Sequence, residues 1–275
     1  MRHCDVINSG SMTSLLDDQR FYRTGRDHRG GWLVTFADVH RHFGFKSLKV
    51  GRWVTAAEKE ATAQWFFDAL SDLQDILNAP VVLLSLRQSL SLAYGTGGQY
   101  GVMAHYEPAT RTFALAKNAG PGAIAHEWFH AFDHYIADHL LQAPRAGIFA
   151  SDGYWQGANL KPHPLNAQLA NCFDVVFYAD DQATPTDYVT RSLAVDQAQS
   201  QTYYSLPYEL MARAFEAFVQ DATVKNNFLA SGTKRSADAK RGLYPQGTHR
   251  QTINRAFAQY FGSLGAVLRR QHPDT

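Results

Sequence analysis

The sequence predicts an α+β protein in which a small mixed β-sheet packs against a helix that carries two histidines, with further helices around them. Three observations support this fold class. Short apolar strand patterns lie before residue 120, residues 123–140 have helical periodicity with imidazoles along one side, and residues 208–220 form a second amphipathic helix.

Composition and charge narrow the class of protein. The chain has 275 residues, of which 45% are hydrophobic and 13% aromatic, so it can bury a sizeable core. Its 26 basic and 25 acidic residues leave a formal net charge of +1, which gives no overall attraction to nucleic acid or anionic membranes. The two cysteines, Cys4 and Cys172, exclude a disulfide framework and a cysteine-ligated zinc site.

The N-terminal residues lack the apolar core of a signal peptide. We expect residues 1–20 to form a disordered leader and residues 21–270 to form a single domain. The densest apolar run, residues 81–86, is far too short to span a bilayer. The sequence therefore favours a cytoplasmic protein with no membrane partner.

Helix-capping and turn-forming residues, together with hydrophobic periodicity, predict where the other elements lie. Thr55 can cap a helix over residues 56–77, whose aromatic and aliphatic residues recur at helical spacing. The remaining expected elements are a buried strand over 80–86, strands over 102–106 and 111–116, a loop-rich region over 141–200 and a final amphipathic segment over 251–268.

A basic loop lies near the start of the expected domain and contains Arg23, Arg26 and Arg29. It is interpreted first as a solvated face, and second as a contact for phosphate or substrate backbone. Together with the pairs at 234–235 and 240–241, it is the only support for association with nucleic acid.

The helix over 123–140 separates polar from apolar residues. At about 100° per residue, His130 lies about 40° from His126 and Glu127 about 100° from it, while large apolar residues fill the opposite arc. Histidines at i and i+4 can both reach one zinc ion at about 2.0–2.1 Å. Glu127 cannot easily join them as a ligand, but it can act as a general base toward water. The segment His126-Glu127-Trp128-Phe129-His130 therefore predicts a zinc site with an adjacent base.

A catalytic zinc usually has three protein ligands, so a third is required. His134 would extend the histidine row, but each i+4 step carries a side chain about 6 Å along the helix axis. Glu209 lies in the first turn of the helix over 208–220, with Arg213 and Glu216 on the same face. Glu216 is the alternative ligand from that helix, or a partner of a ligand or of Arg213.

Other residues are candidates for supporting roles. Asp133 could orient a ligand imidazole or be an ordinary exposed residue. His105, on the strand before the helix, could bind substrate or stabilise an oxyanion, or be a core histidine. A tyrosine from the segment before the second helix could also donate to an oxyanion. Tyr203, Tyr204 and Tyr208 are the possibilities, and Tyr204 is taken as the candidate.

Several sequence blocks together resemble a known family. The blocks are FGF (43–45), VGRWV (50–54), LSLAYG (90–95), AHYEP (104–108), GAIAHEWFHAFD (122–133) and ELMARAFE (209–216). They resemble the metallopeptidase-like domain of large polyvalent proteins from phages and conjugative elements, and the small stand-alone bacterial relatives labelled CLCA_X. The resemblance covers about residues 21–260.

This resemblance implies a zincin-like core that binds zinc through His126 and His130, with Glu127 as base. By similarity to gluzincin-type peptidases with an ExxAxxF helix, it implies Glu209 as the third ligand. The 78 residues between His130 and Glu209 are more than short-loop gluzincins have. The resemblance supplies no substrate.

The leading hypothesis is a zinc metallopeptidase that hydrolyses a protein or peptide substrate, with zinc ligated by His126, His130 and Glu209. The alternative is a catalytically inactive zinc-containing module that binds a host or phage protein. In that case the centre would be closed by a further ligand such as His134 or Glu216.

Overall fold

The computed structural model describes residues 21–96, 104–117 and 122–271. It has a mixed α+β fold with a small sheet, as the sequence predicts. The expected leader at 1–20 and residues 102 and 103 of an expected strand lie outside the described residues. The elements are α1 (Phe36–Phe43), β1 (Leu48–Val50), α2 (Ala56–Leu77), β2 (Ser91–Tyr94), β3 (Ala104–Glu107), β4 (Thr112–Leu115), α3 (Ala123–Leu140), α4 (Ala150–Trp155), α5 (Pro164–Phe177), α6 (Asp187–Ala198), α7 (Pro207–Asp221), α8 (Ala237–Lys240) and α9 (Gly247–Gln271).

The sheet has four strands in the order β1-β2-β4-β3. β1, β2 and β4 run parallel, with Leu92 paired to Leu48 on one side and to Phe113 on the other. β3 runs antiparallel to β4 and pairs Tyr106 with Phe113. Among the described strands β3 is therefore an edge strand, and it directly precedes β4 and α3 in the chain.

The expected helix over 56–77 is confirmed as α2, and its N-terminus shows why it begins there. The Thr55 side chain accepts a hydrogen bond from the Glu58 backbone N–H, and the Glu58 carboxylate accepts one from the Thr55 N–H. This reciprocal capping box satisfies donors that the first helical turn leaves free. The chain leaves α2 through Asn78, which has left-handed backbone angles.

The prediction of a strand over residues 80–86 is wrong. Residues Val81–Leu83 form one turn of 3₁₀ helix, followed by three residues with positive φ, namely Leu86, Arg87 and Gln88. The apolar run is buried as expected, but it is held by a donor from another element, because the Trp128 indole of α3 donates to the Leu84 carbonyl at 3.0 Å. Burial alone does not distinguish a strand from a compact turn.

The expectation that residues 141–200 are loop-rich is also wrong, since α4, α5 and α6 lie there. α5 begins with Pro164 in its first turn, where the missing N–H costs no hydrogen bond. Leu169, Phe173 and Phe177 recur at i, i+4 and i+8 and are fully buried. The helical signal was present among the many Asn, Gln and Asp residues that favour loops.

The core that positions the histidine helix is aromatic. Trp128 of α3 lies 5.6 Å from Phe215 of α7, and Phe129 lies 4.8 Å from the same ring. Phe257 and Phe261 of α9 pack against Phe215 at 5.6 and 5.5 Å. α3 and α7 are confirmed almost residue for residue, and α9 extends the expected segment at both ends.

The basic loop at residues 23–29 is neither a free solvated face nor a free phosphate contact. Arg23 donates to Asp72 at 2.6 and 2.7 Å, and His28 lies 2.9 Å from the same carboxylate. Arg29 pairs with Asp68, and Arg26 with Asp75. The acidic residues recur along one face of α2, so these ion pairs attach the loop to that helix. Because the three arginines are paired with carboxylates of the protein, most of the support for nucleic-acid binding is removed.

Candidate metal centre

The N-terminus of α3 is fixed by the segment before α8. Gly122 precedes the helix with a φ of 96°, and a Cβ at this position would lie 2.7 Å from the Ser231 nitrogen. The Phe228 carbonyl accepts a hydrogen bond from Gly122 N–H at 3.3 Å, and the Leu229 carbonyl accepts one from Ala125 N–H at 3.0 Å. Donors that a helix start leaves unsatisfied are therefore used to hold the histidine helix in place.

α3 and α7 approach closely enough for their polar faces to meet. Ala212 and Phe215 on the apolar face of α7 are fully buried against the aromatic side of α3. Glu209 lies in the first turn of α7, one turn before Ala212. The packing therefore brings this carboxylate to the histidines across 78 residues of sequence.

Three candidate ligand atoms converge. The Nε2 atoms of His126 and His130 lie 3.0 Å apart. The two carboxylate oxygens of Glu209 lie 3.4 Å from these atoms, with Oε2 toward His126 and Oε1 toward His130. One ligand atom from each residue lies within 4.8 Å of the others, which makes the three the one metal-binding group found among the described residues.

The spacing and chemistry of these atoms fit a metal ion. A tetrahedral site with bonds of about 2.0–2.1 Å places its ligand atoms about 3.3–3.4 Å apart, close to the separations found here. Oε2 of Glu209 is buried and has no hydrogen-bond partner among the described residues. A buried carboxylate oxygen without a partner is costly unless a cation lies beside it. His126, His130 and Glu209 could therefore hold a metal ion.

A second layer supports His126. The Glu216 carboxylate lies 3.6 Å from Nδ1 of His126, and it accepts a hydrogen bond from the Tyr244 hydroxyl at 3.0 Å. Burial lowers the pKa of His126, but contacts with the carboxylates of Glu209 and Glu216 and the charges of Glu209 and Glu127 raise it to about 10. Glu216 thus faces the ring nitrogen opposite the cluster, where it orients the imidazole rather than joining the ligands.

Glu209 is held as an anion. Burial raises its pKa, but the rings of His126 and His130, whose Nε2 atoms lie 3.4 Å from its oxygens, outweigh burial and leave the pKa well below its usual range. Arg213 adds a positive charge, with Nε 3.8 Å from the carboxylate. Of the alternatives for Glu216, an ion pair with Arg213 is not found among the described residues, since Arg213 contacts Glu209 and Asp238.

His134 does not join the cluster. Its Nδ1 lies 2.7 Å from the Tyr106 hydroxyl of β3, and its ring packs against Phe149 at 5.7 Å. The additional helical turn carries His134 along the axis toward the sheet, which is the physical reason that argued against it from the sequence.

Asp133 neither contacts a candidate ligand imidazole nor lies exposed, so both interpretations of this residue are wrong. Its carboxylate is buried and accepts hydrogen bonds from the Ser151 backbone at 2.9 Å and from the Ser151 hydroxyl at 2.5 Å. Burial raises the pKa of Asp133 to about 7, even though these hydrogen bonds lower it. The residue ties α3 to the start of α4.

Tyr203 lies close enough to the cluster for the charge of Glu209 to act on its hydroxyl. Burial raises the pKa of Tyr203, as do the charge of Glu209, a hydrogen bond with it and the charge of Glu127. Tyr204 instead packs its ring 4.6 Å from the Arg213 guanidinium.

Tyr208 lies on the other side of the cluster. Its ring is 5.6 Å from His130 and stacks on Phe149 at 4.8 Å. Burial raises its pKa, and so do the charges of Glu209 and Asp152. Together with Phe149 it forms an aromatic surface beside the candidate ligands. Phe149 lies in the region that the sequence predicts to be loop-rich.

Asp196 at the end of α6 was missed, although it determines where Tyr203 lies. Its carboxylate accepts backbone hydrogen bonds from Tyr203 at 3.1 Å, Tyr204 at 3.0 Å and Ser205 at 2.8 Å. An Asp shortly before a turn and a Pro-initiated helix is a signal for such a loop, but the expectation of a long irregular region obscured it.

The expectations for His105 do not agree with its position. It is exposed on β3. Successive side chains of a strand point to opposite faces, and Tyr106 is the one that reaches α3. His105 therefore faces away from α3 and is neither a core histidine nor beside the cluster. Glu127 follows His126 on α3, is half-buried, and is near enough to Tyr203 for its charge to affect that hydroxyl.

Comparison with known proteins gives one match, which covers the part of the chain that contains Glu209. Residues 195–268 match the family model of large polyvalent protein-associated domain 1. This segment contains Asp196, Glu209, Glu216 and Tyr244, and it agrees with the resemblance found in the sequence. His126 and His130 lie outside it. No curated protein and no solved structure matches the chain.

None of the helices in the described ranges is both long and apolar enough to cross a bilayer.

Proposed function

We propose that this protein is a zinc-dependent peptidase with a zincin-like fold, in which His126, His130 and Glu209 hold the metal ion. The observation that carries the proposal is the convergence of their ligand atoms within 4.8 Å, together with a carboxylate next to the first histidine. Two imidazoles and a carboxylate are the ligand set of a common class of catalytic zinc site. The match to a domain of large polyvalent proteins supports an origin in mobile elements.

Zinc held by these side chains would supply Lewis-acid polarisation and a lowered pKa for water. Glu127 is the proposed general base. Its carboxylate takes a proton from the water whose oxygen bonds to the peptide carbonyl carbon, and returns a proton to the nitrogen as the C–N bond breaks. Glu127 suits this task because it is half-buried and absent from the three-atom cluster.

Tyr203 is the proposed donor to the oxygen on which negative charge develops. Its hydroxyl side chain is 42% exposed, so substrate can reach it, and it lies beside Glu209 and Glu127. A donor already oriented toward developing charge stabilises the transition state more than the ground state. Tyr203 replaces Tyr204 in this role.

The edge strand supports a peptide as substrate. β3 pairs with β4 on one side, and no described strand pairs with its other side. An extended peptide can add to such an edge through backbone hydrogen bonds. Tyr106 of β3 reaches His134 of α3, so a peptide on this edge would run near the histidine helix.

The decisive experiment compares wild type with Glu127→Gln and a matched control, Glu60→Gln, which replaces an exposed carboxylate of α2. Zinc content and cleavage of a mixed peptide library are measured for each. We expect equal zinc in all three and a loss of about 10²–10⁴-fold in cleavage for Glu127→Gln alone.

Wild-type protein that binds no metal would refute the metal centre. Wild type that binds zinc but cleaves no peptide would refute the peptidase and favour a zinc-containing binding module.

A further inference from the structure

A cavity lies on the side of α3 opposite the candidate metal centre. Its volume is about 410 Å³, within the range of about 300–1,000 Å³ found for small-molecule sites. Four parts of the chain form its walls, namely residues 83–87, the last turns of α3, residues 161–166 and the last turns of α9.

The interior of the cavity is apolar. Its deep surface is made by buried side chains from these segments. They are Leu83, Leu86, Phe132, Ile136, Tyr260 and Leu268. Leu264 and Val267 of α9 are half-buried and line it nearer the opening. Such a surface can accept a hydrocarbon chain, because burial of apolar area is the main favourable term in binding.

The opening has positive charge. Arg87, His139, Lys161 and His163 line the cavity, and none of the described lining residues is acidic. This local excess of positive charge contrasts with the whole chain, which has almost equal numbers of acidic and basic residues. Burial lowers the pKa of His139, so Arg87 and Lys161 supply the permanent charges.

The backbone conformation at residues 86 and 87 contributes both an apolar and a charged side chain to the cavity. Leu86 and Arg87 both have positive φ, at 51° and 56°, a conformation that side-chain-bearing residues rarely adopt. The turn places Leu86 in the apolar interior and Arg87 at the opening. Arg87 donates to Gln271 at 2.9 Å, and Lys161 donates to the backbone carbonyl of Asp138 at 2.7 Å. Backbone strain of this kind tends to occur at ligand sites.

We propose that this cavity binds a single-chain anionic amphiphile, with an alkyl chain in the apolar interior and a carboxylate at the opening beside Arg87 and Lys161. A cavity of about 410 Å³ with apolar walls favours one alkyl chain over the broad face of a protein partner. The proposal is independent of the metal centre and of any peptidase activity.

Calorimetric titration of the full chain tests the ligand class with three probes. Dodecanoate has the tail and the anion, butanoate has the anion with a short tail, and dodecyltrimethylammonium has the tail with a cation. All are used below their micellar concentrations. We expect one dodecanoate per chain, binding about 100-fold or more tighter than butanoate and about tenfold or more tighter than the cationic probe.

Variants and methyl NMR test the location. Lys161→Gln is expected to weaken dodecanoate binding about three- to tenfold, whereas Lys161→Arg keeps the charge and the affinity. Val267→Trp is expected to fill the cavity and abolish binding. In wild type, dodecanoate should shift the methyl signals of Ile136, Leu264 and Val267.

Equal binding of dodecanoate and the cationic probe would overturn the proposal, as would methyl shifts confined to another region. The same holds if Lys161→Gln binds as wild type does, or if an acidic amphipathic peptide binds and dodecanoate does not.

Discussion

The Nε2 atoms of His126 and His130 lie 3.0 Å apart, one helical turn from each other on α3. Two neutral imidazoles cannot both donate across this distance, and two protonated ones would repel each other. One proton shared between the two nitrogens, or one metal ion in its place, is compatible with this separation, and Glu209 supplies a negative charge from the third side.

The partner of His126 is expected to tune metal affinity. Glu216→Gln keeps the shape of the side chain but removes the charge that faces Nδ1 of His126. We expect zinc affinity to fall about 10–100-fold, as for other partners of ligand histidines. Competition with a chelator measures the change. Glu60→Gln, at an exposed position of α2, is the control, and equal affinities in the two variants would contradict the role of Glu216.

Metal binding is expected to release protons. The pKa of His126 is raised to about 10 in the metal-free protein, so at pH 8 the ring is protonated and must lose that proton to become a ligand. Each zinc bound at pH 8 should therefore release about one proton. Calorimetry in buffers of different ionisation enthalpy counts the protons. Glu127→Gln should release the same number, and a wild-type value near zero would contradict the assignment.

The same raised pKa predicts how the metal-free protein responds to pH. A histidine whose pKa is higher in the folded state stabilises the fold fully below its usual pKa of 6.5, and this contribution is lost as pH rises to about 10. Urea unfolding of metal-free protein should therefore show lower stability at pH 10 than at pH 6.5. His126→Asn should show a smaller decrease, and equal decreases would contradict the prediction.

Tyr203 is expected to act in turnover rather than in metal binding. Tyr203→Phe removes the hydroxyl beside Glu209 and Glu127. If peptide cleavage is established, we expect kcat to fall about 10–1,000-fold with unchanged zinc content. Tyr204→Phe, whose ring packs on Arg213, is the matched control. A larger effect for Tyr204→Phe would restore Tyr204 to the role.

The ion pairs between the basic loop and α2 are expected to contribute unequally to the stability of the fold. Asp72 is fully buried and meets Arg23, His28 and Asn226. Asp72→Ala leaves these groups without their partner and should reduce the free energy of unfolding by about 3–5 kcal/mol. Asp75→Ala breaks a pair with exposed Arg26 and a longer contact of 3.8 Å with His28, and should cost about 0–1 kcal/mol. Urea unfolding measures both, and similar losses would contradict the argument.

Much of the fold can be predicted from local pattern. α2, α3 and α7 follow from periodicity, and the start of α2 follows also from a cap between neighbouring residues, Thr55 with Glu58. The run at 80–86 could not be resolved in this way, because its turn depends on a donor from Trp128 in another helix. α5 was missed although Leu169, Phe173 and Phe177 have helical spacing, because the surrounding polar residues favour loops.

The sequence by itself determined that His126, Glu127 and His130 share one flank of a helix, since a backbone repeat of 3.6 residues per turn requires it. It also indicated Glu209 as the distant ligand. Only the tertiary structure decided that Glu216 lies beside His126, that Asp133 binds Ser151, and that the charge of Glu209 acts on Tyr203. These outcomes depend on how helices far apart in sequence pack and on how Asp196 holds a loop, and neither has a local periodicity to reveal it.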